Sequence, residues 1–272
     1  MRSDSPLADR PVDMDALATL PAVGLDALNA ASELLVRTDR KYVIPLDDLA
    51  PMLMGVPGLR VLEIDGRRKS RYESTYLDTT DLTSWAASAH PRRRRWKART
   101  RLYADTGECW LEVKTRGTRG VTVKERLRYD VASRDEISVE AADWVRERLV
   151  AAGSPEIDPR GLVATLTTSY RRTTLLLPAG AGRATIDFDL SWTSASGRAE
   201  AGNVLVVETK SAGRTAGPLD RTLWQLGHRP ARISKYGTGL SLLTPELPGN
   251  RWHRVTTRHL AATLRVTEGA AA

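Results

Sequence analysis

The chain has 272 residues, 41% of them hydrophobic and 27% charged, with a formal net charge of +8, which suits a globular protein and excludes a wholly disordered one. Its one cysteine, Cys109, excludes a disulfide framework and a thiolate metal cluster, and the scattered His90, His228, His253 and His259 argue against a histidine zinc site. No stretch approaches the roughly 18 apolar residues of a membrane span and no apolar leader core is present, so a soluble, cytoplasmic protein with an anionic partner is expected.

Residues 1–20 carry Pro, Asp and Ser without periodicity and read as a disordered tail. Leu25, Leu28, Ala31 and Leu35 recur at helical spacing and predict a short amphipathic helix over 25–35. Residues 37–45, RTDRKYVIP, read as a strand, and Pro45 with Leu46, Asp47 and Asp48 opens a second helix. Residues 71–78 alternate as a strand, with Tyr72, Ser74, Tyr76 and Asp78 on one side.

Residues 92–101 read RRRRWKARTR, seven of ten basic. From Arg95 onward the run alternates. Arg95, Lys97, Arg99 and Arg101 fall on one side, and Trp96, Ala98, Thr100 and Leu102 on the other. A solvated basic tail needs no such alternation; a β-strand produces it, because successive side chains point to opposite faces. Residues 108–116 follow suit, with Trp110, Glu112 and Lys114 opposite Cys109, Leu111 and Val113. After a turn at Gly117 to Gly120, residues 121–130 place Lys124, Arg126 and Arg128 together. The three segments 95–103, 108–116 and 121–130 predict an antiparallel meander.

A helix is expected over 135–151, ending at Gly153. Strands are expected over 162–177, 183–190 and 203–210, in which Tyr170 pairs its face with Arg172, Arg183 with Asp187, and Glu208 with Lys210. A helix over 219–226 follows, and Ser234-Lys235-Tyr236 opens another. From Pro245 onward, residues 245–272 read as a loosely ordered tail, which leaves one folded domain over 21–244.

The fold class is therefore mainly β (α+β), with about eight antiparallel strands and a few flanking helices. Strand after strand gives one apolar or mixed face and one face where Lys or Arg stands beside Glu or Asp. Three readings of that face stay open. It is a solvated face with cross-strand ion pairs, a nucleic-acid surface, or the lining of a closed barrel whose charged lumen holds phosphate chains. Against specific nucleic-acid recognition, the chain lacks helix-turn-helix, zinc and RNP-type patterns, and its aromatic content is only 6% with a single phenylalanine, so stacking platforms are scarce. In the barrel reading Glu112, Glu208 and Asp187 pair with interior cations, and some can hold a divalent metal.

The ordered set RKY, YLDT, KARTR, LEVK, KER, SYRR, RATID, VVETK and SKY, from about Asp39 to Gly239, resembles the VTC (vacuolar transporter chaperone) domain, the polyphosphate polymerase domain of the triphosphate tunnel metalloenzymes. No single motif decides this; nine in the right order do. The resemblance implies a closed antiparallel β-barrel tunnel in which the γ-phosphate of ATP passes to a growing polyphosphate chain with Mn²⁺ or Mg²⁺. It implies catalytic cations at Arg99, Arg101, Lys114, Lys124, Arg172, Arg183 and Lys235. It implies phosphate-binding groups at Lys41, Lys97, Arg126, Tyr170, Lys210 and Ser234, with Glu208 as metal ligand and Glu112 as a second candidate. Related tunnel hydrolases and cyclases carry Glu-x-Glu-x-Lys near the start; here Arg37, Asp39 and Lys41 stand there, which favours the polymerase branch. No added phosphate-sensing domain or membrane segment is seen, so chain translocation would need a separate membrane partner. A tunnel triphosphatase and a non-catalytic polyanion-binding module are the alternatives. Oligomeric state is not legible in the sequence. Arg92 to Arg94 match no motif; they fit either a tunnel rim or a solvated loop.

Overall fold

A computed structural model describes residues 15–31, 37–116, 122–249 and 251–269; the glycine turn expected at 117–120 and the end of the first expected helix lie outside them. In chain order these residues form α1 (Asp15–Ala18), β1 (Ala22–Val23), α2 (Leu25–Ala31), β2 (Arg37–Pro45), α3 (Leu49–Met54), β3 (Arg60–Leu62), β4 (Ser70–Asp78), α4 (Thr83–Ala89), β5 (Trp96–Tyr103), β6 (Glu108–Arg116) and β7 (Thr122–Tyr129). They continue with α5 (Val139–Ala151), β8 (Val163–Leu176), β9 (Arg183–Ser194), β10 (Gly197–Ala201), β11 (Val204–Ala212), α6 (Pro218–Gln225), α7 (Lys235–Leu243), α8 (His253–Val255) and β12 (Leu264–Glu268). The class is mainly antiparallel β with several helices. No described helix is long and apolar enough to cross a membrane.

Contacts divide the chain into two compact units, with the division falling inside β8 and β9. The first holds residues up to Arg68 together with 173–186 and 203–230; the second holds 69–172, 187–202 and 231–272. The described residues of the stretch 245–272 fall in the second unit. There α8 forms, and β12 pairs with β10 over five residues, from Gly197 opposite Glu268 to Ala201 opposite Leu264. Sequence reading misses β1, β3, β10 and β12 because alternation cannot be recognised over two to five residues.

In the first unit β2 and β11 pair antiparallel over nine residues, with Lys41 opposite Glu208 and Asp39 opposite Lys210. The alternation then splits the ladder into two faces. Tyr42, Thr209 and Ser211 are buried and converge on Asp220 of α6, itself 0% exposed. Asp220 accepts from Arg40 at 3.2 Å, Tyr42 at 2.8 Å, Thr209 at 2.6 Å and Ser211 at 3.1 Å. With α6 fastened to that face, Lys41, Glu208 and Lys210 are left on the other.

The second unit follows the same logic. β5, β6 and β7 form the expected meander, β4 pairs with β5 and β8 pairs with β4. Trp96, Ala98, Leu111 and Val113 from the meander pack with Ala141, Val145 and Leu149 of α5 and with Leu77 and Leu162. Burying these side chains is the main stabilising term, at about 1.5–3 kcal/mol each. α5 starts at its cap Ser138, whose hydroxyl accepts from Ala141 N–H. Because α5 covers the apolar face, the face with Lys97, Arg99, Arg101, Glu112 and Lys124 cannot be the core face.

The expected hydrogen-bonded closure into a barrel is not found. Among the described residues β7 pairs only with β6, and β12 only with β10, so the ladder has two free ends. β7 is exposed along much of its length and carries Lys124, Arg126 and Arg128, charges that keep an edge strand from recruiting further strands.

Candidate functional site

Strand register sorts the charged face of the second unit into rows. Lys97, Lys114 and Lys124 stand directly opposite one another across β5, β6 and β7. The next row is Arg99, Glu112 and Arg126, and the next is Arg101, Trp110 and Arg128. Like charges directly opposite are destabilising; Glu112 answers Lys124 at 2.6 Å, and a phosphate beside the row would lower the remaining cost.

Glu112 is the anchor of the second row. It is 2% exposed, and Arg99 donates to it at 2.6 and 2.8 Å while Lys124 reaches its other oxygen at 2.6 Å. Burial alone would push the Glu112 carboxyl up, but Arg99, Arg101 and Lys124 outweigh it and hold it well below the usual carboxylate range. The Arg99 guanidinium also donates to the Tyr76 hydroxyl at 3.1 Å and lies over its ring.

A second carboxylate does the same work further along. Asp187, also 2% exposed, accepts from Arg172 through both oxygens, at 2.6 and 2.8 Å, and from Lys235. Burial raises its pKa, yet Arg172 and Lys235 bring it down to about 2. Lys235 is the first residue of α7, capped by Ser234, whose hydroxyl accepts from Gly237 N–H. α7 lies close against two indoles: a Cβ on Gly237 would collide with Trp252 and one on Gly239 with Trp192, which is why glycine is needed at both positions. That contact fixes where Ser234 and Lys235 sit.

Between the two triads lies Tyr170. Its ring stacks on Tyr72 with centroids 5.3 Å apart, and Lys235 lies 4.3 Å from its centroid. Its hydroxyl is buried and has no hydrogen-bond partner among the described residues, which leaves it able to donate to a ligand oxygen. Burial pushes the phenol up, but Arg101, Arg172 and Lys235 outweigh it and bring it below its ordinary value. Arg101 is 8% exposed, sits over the Tyr72 ring and has only Ser74 within weak hydrogen-bond reach, at 3.4 Å.

The remaining sequence-predicted groups are distributed as follows. Lys97 donates to Ser234 at 3.0 Å. Lys114 is exposed beside it. Arg126 is exposed and stacks on Trp110 at 4.4 Å instead of reaching Glu112. Lys41, Arg183, Glu208 and Lys210 belong to the first unit. There Lys41 meets Glu208 at 3.0 Å, Lys210 meets Glu208, and Asp39 lies 3.9 Å from Lys210. Arg183 begins β9, half-buried.

No three His, Cys, Asp or Glu side chains converge among the described residues. A protein-only metal cage is therefore not built. Both candidate carboxylates have both oxygens held by cations, Glu112 by Arg99 and Lys124 and Glu208 by Lys41 and Lys210, but the Glu112 side chain is 2% exposed and that of Glu208 18%. Glu208 fits the lesser demand of a hard cation that takes most of its ligands from phosphate and water.

Lys97 titrates where it can be measured. Burial first, then Lys114, Arg99, Arg95 and Arg251, push it from 10.5 down to about 7. The unfolded chain therefore binds more protons than the folded one between pH 7 and 10, and folding gains stability as pH rises through that window. A bound phosphate reverses the local balance and restores the ammonium. Triphosphate binding at pH 8 should take up close to one proton. Calorimetry in two buffers of different ionisation enthalpy measures it, and Lys97→Met should remove that uptake; an unchanged uptake would show that Lys97 is already charged.

Sequence reasoning missed Arg232 and Arg251. Both lie in stretches without periodicity, and Arg251 falls in the supposed tail, so no local pattern could have found them.

The VTC domain family matches residues 36–244. No curated protein matches the chain. Among solved structures, HpAC1 from Hippeastrum, described as a candidate adenylyl cyclase with a dominant triphosphatase activity, is similar at 16% identity. The likeness covers 78% of this chain and 98% of that one with a TM-score of 0.43. A candidate adenylate cyclase from Vibrio parahaemolyticus is similar at 11% identity, over 72% of this chain and 88% of that one, with a TM-score of 0.38.

Proposed function

The chain belongs to the VTC domain family of triphosphate tunnel proteins, and on that premise we propose that it is a polyphosphate polymerase, transferring the γ-phosphate of ATP to a growing polyphosphate chain. The observation that carries this reading is the unpartnered Tyr170 hydroxyl, buried where Arg101, Arg172 and Lys235 act on it.

Phosphoryl transfer passes through a loose transition state, so the protein's task is to position phosphates and stabilise shifting charge. Arg99 and Arg172 are held in place by buried carboxylates, so they need little reorganisation as charge moves. Arginine grips phosphate oxygens bidentately and lysine acts as a point charge. In this reading Arg99, Arg101, Arg172 and Lys235 grip the reacting phosphates and Tyr170 donates to one of their oxygens. Lys97, Lys114 and Lys124 hold further phosphates. Lys41, Arg183 and Lys210 are the phosphate ligands of the first unit, and Glu208 is the carboxylate that would hold Mn²⁺ or Mg²⁺. Such a cation would neutralise phosphate oxygens as charge builds on the departing ADP. A closed tunnel, a cytoplasmic location and a separate membrane partner belong to the same reading.

Purified protein with ATP and Mn²⁺ should give ADP and a chain product that a polyphosphatase degrades. Free phosphate without chain product would instead indicate a triphosphatase, and tight triphosphate binding without turnover a binding module. Arg99→Ala should weaken triphosphate binding about tenfold, the worth of a charge-assisted contact, while Lys124 still holds Glu112. Unchanged affinity by calorimetry would place Arg99 outside the phosphate site.

A further inference from the structure

A cavity of about 280 Å³ in the second unit is lined by Arg95, Lys97, Lys114, Arg116, Arg232 and Arg251. Lys97 and Lys114 belong to the phosphate site just described; the four arginines do not. They come from four separate places in the chain: just before β5, the end of β6, the segment before α7 and the segment after it. Among the described residues no carboxylate lines this cavity. Among the described residues Arg251 donates to the Ser88 carbonyl at 3.2 Å and Arg95 to the Arg92 carbonyl at 3.5 Å. Burial lowers the pKa of Arg95 and Arg251 first, and the further groups that lower it are cations alone, Arg116 and Arg251 in one case, Arg232 and Arg116 in the other. Three other cations with little exposure each have a buried carboxylate, Arg99 in Glu112, Arg172 in Asp187 and Arg40 in Asp220, whereas the four arginines of this cavity have none among the described residues. Four arginines gathered in one concave site repel one another, and an anion that enters it relieves that repulsion.

Arg116 is shared with a second cavity of about 510 Å³, whose other lining includes Arg92, Arg93 and Arg94 and the end of α5. The basic run that matched no motif thus faces a cavity of its own, continuous in its lining with the first. The two indoles of the first cavity, Trp96 and Trp252, are only 2% and 3% exposed, so no ring face is offered for a base to stack on. The ligand that suits this lining is a long, flexible chain of phosphates carrying no bases.

We propose that Arg95, Arg116, Arg232 and Arg251, continued by Arg92 to Arg94, form a chain-holding site for polyphosphate beyond the phosphates gripped by Lys97 and Lys114. The site takes its ligand class from the proposed polymerase reading. It would retain the product between additions, so that chains much longer than a triphosphate bind more tightly than a triphosphate does.

The test is binding without ATP. Affinities of tripolyphosphate and of a polyphosphate of about 50 units are compared at one salt concentration for the wild type and for the quadruple exchange Arg95→Gln, Arg116→Gln, Arg232→Gln and Arg251→Gln. Each charge-assisted contact contributes severalfold, so the long chain should lose about tenfold or more in affinity, with tripolyphosphate changed less than about twofold. Should the quadruple variant fold poorly by circular dichroism, Arg116→Gln and Arg251→Gln singly carry the same comparison with a smaller loss. Equal losses for both ligands, or no loss for the long chain, would overturn the proposal. So would single-stranded DNA of equal charge binding as tightly as the long chain, which would make this a general polyanion surface. Because no turnover is read, a protein that discriminates chain length yet makes no polyphosphate keeps this site and loses the polymerase reading. One that polymerises but treats both ligands alike loses only this site.

Discussion

Asp187→Asn should lower the unfolding free energy by about 3–5 kcal/mol, the usual cost of removing one member of a buried ion pair. The carboxylate is 2% exposed and serves two cations, Arg172 through both oxygens and Lys235. Asparagine keeps the shape and one acceptor but leaves two positive charges uncompensated in a site already crowded by Arg101. The urea midpoint measures the loss. The acid limb gives a second reading. With its pKa down at about 2, below the ordinary 3.9 of an unfolded aspartate, Asp187 stabilises the fold fully above pH 4. That stabilisation fades as pH falls through 2 and is worth about 2 kcal/mol; the variant should lack this part of the acid transition. Saturating tripolyphosphate should raise the melting temperature of the variant more than that of the wild type, because phosphate oxygens then supply the missing charge. A variant as stable as the wild type would mean that Arg172 and Lys235 are adequately solvated without their partner.

Glu208→Gln should reduce turnover by at least about a hundredfold, the scale of removing one electrostatic element from a transition state, while the fold and triphosphate binding persist. Glutamine is isosteric, so β2 and β11 keep their ladder. Lys41 and Lys210 lose their shared counter-charge, and an incoming phosphate can replace it. Binding and catalysis should therefore separate: affinity held or slightly improved, ADP and chain product gone at any concentration of Mn²⁺. Substantial activity in the variant would remove Glu208 from the metal role and leave it as a partner for two lysines.

What the sequence determined by itself is the strand framework and the sorting of side chains onto faces. β2 spans the residues read as RTDRKYVIP, and β5, β6 and β7 fall within a residue or so of their expected limits. This is legible because alternation is a property of neighbours along the chain: Lys97, Arg99 and Arg101 must share a face whatever the fold does. Nine short motifs in order did the same for family membership. The tertiary structure alone decided what those faces mean. Alternation cannot say which face a helix distant in sequence will cover; α5 and α6 made that choice. Nor can it give cross-strand register, which sets Lys97 against Lys114 and Lys124 yet sets Arg99 against Glu112. That register also places Glu112 as the counter-ion of Arg99 and Lys124. It is also non-local folding that brought Arg232 and Arg251, from unpatterned segments, to the cavity where the basic run begins. Local geometry fixed where each charge points, and only long-range packing fixed which of them an acidic partner inside the protein already satisfies.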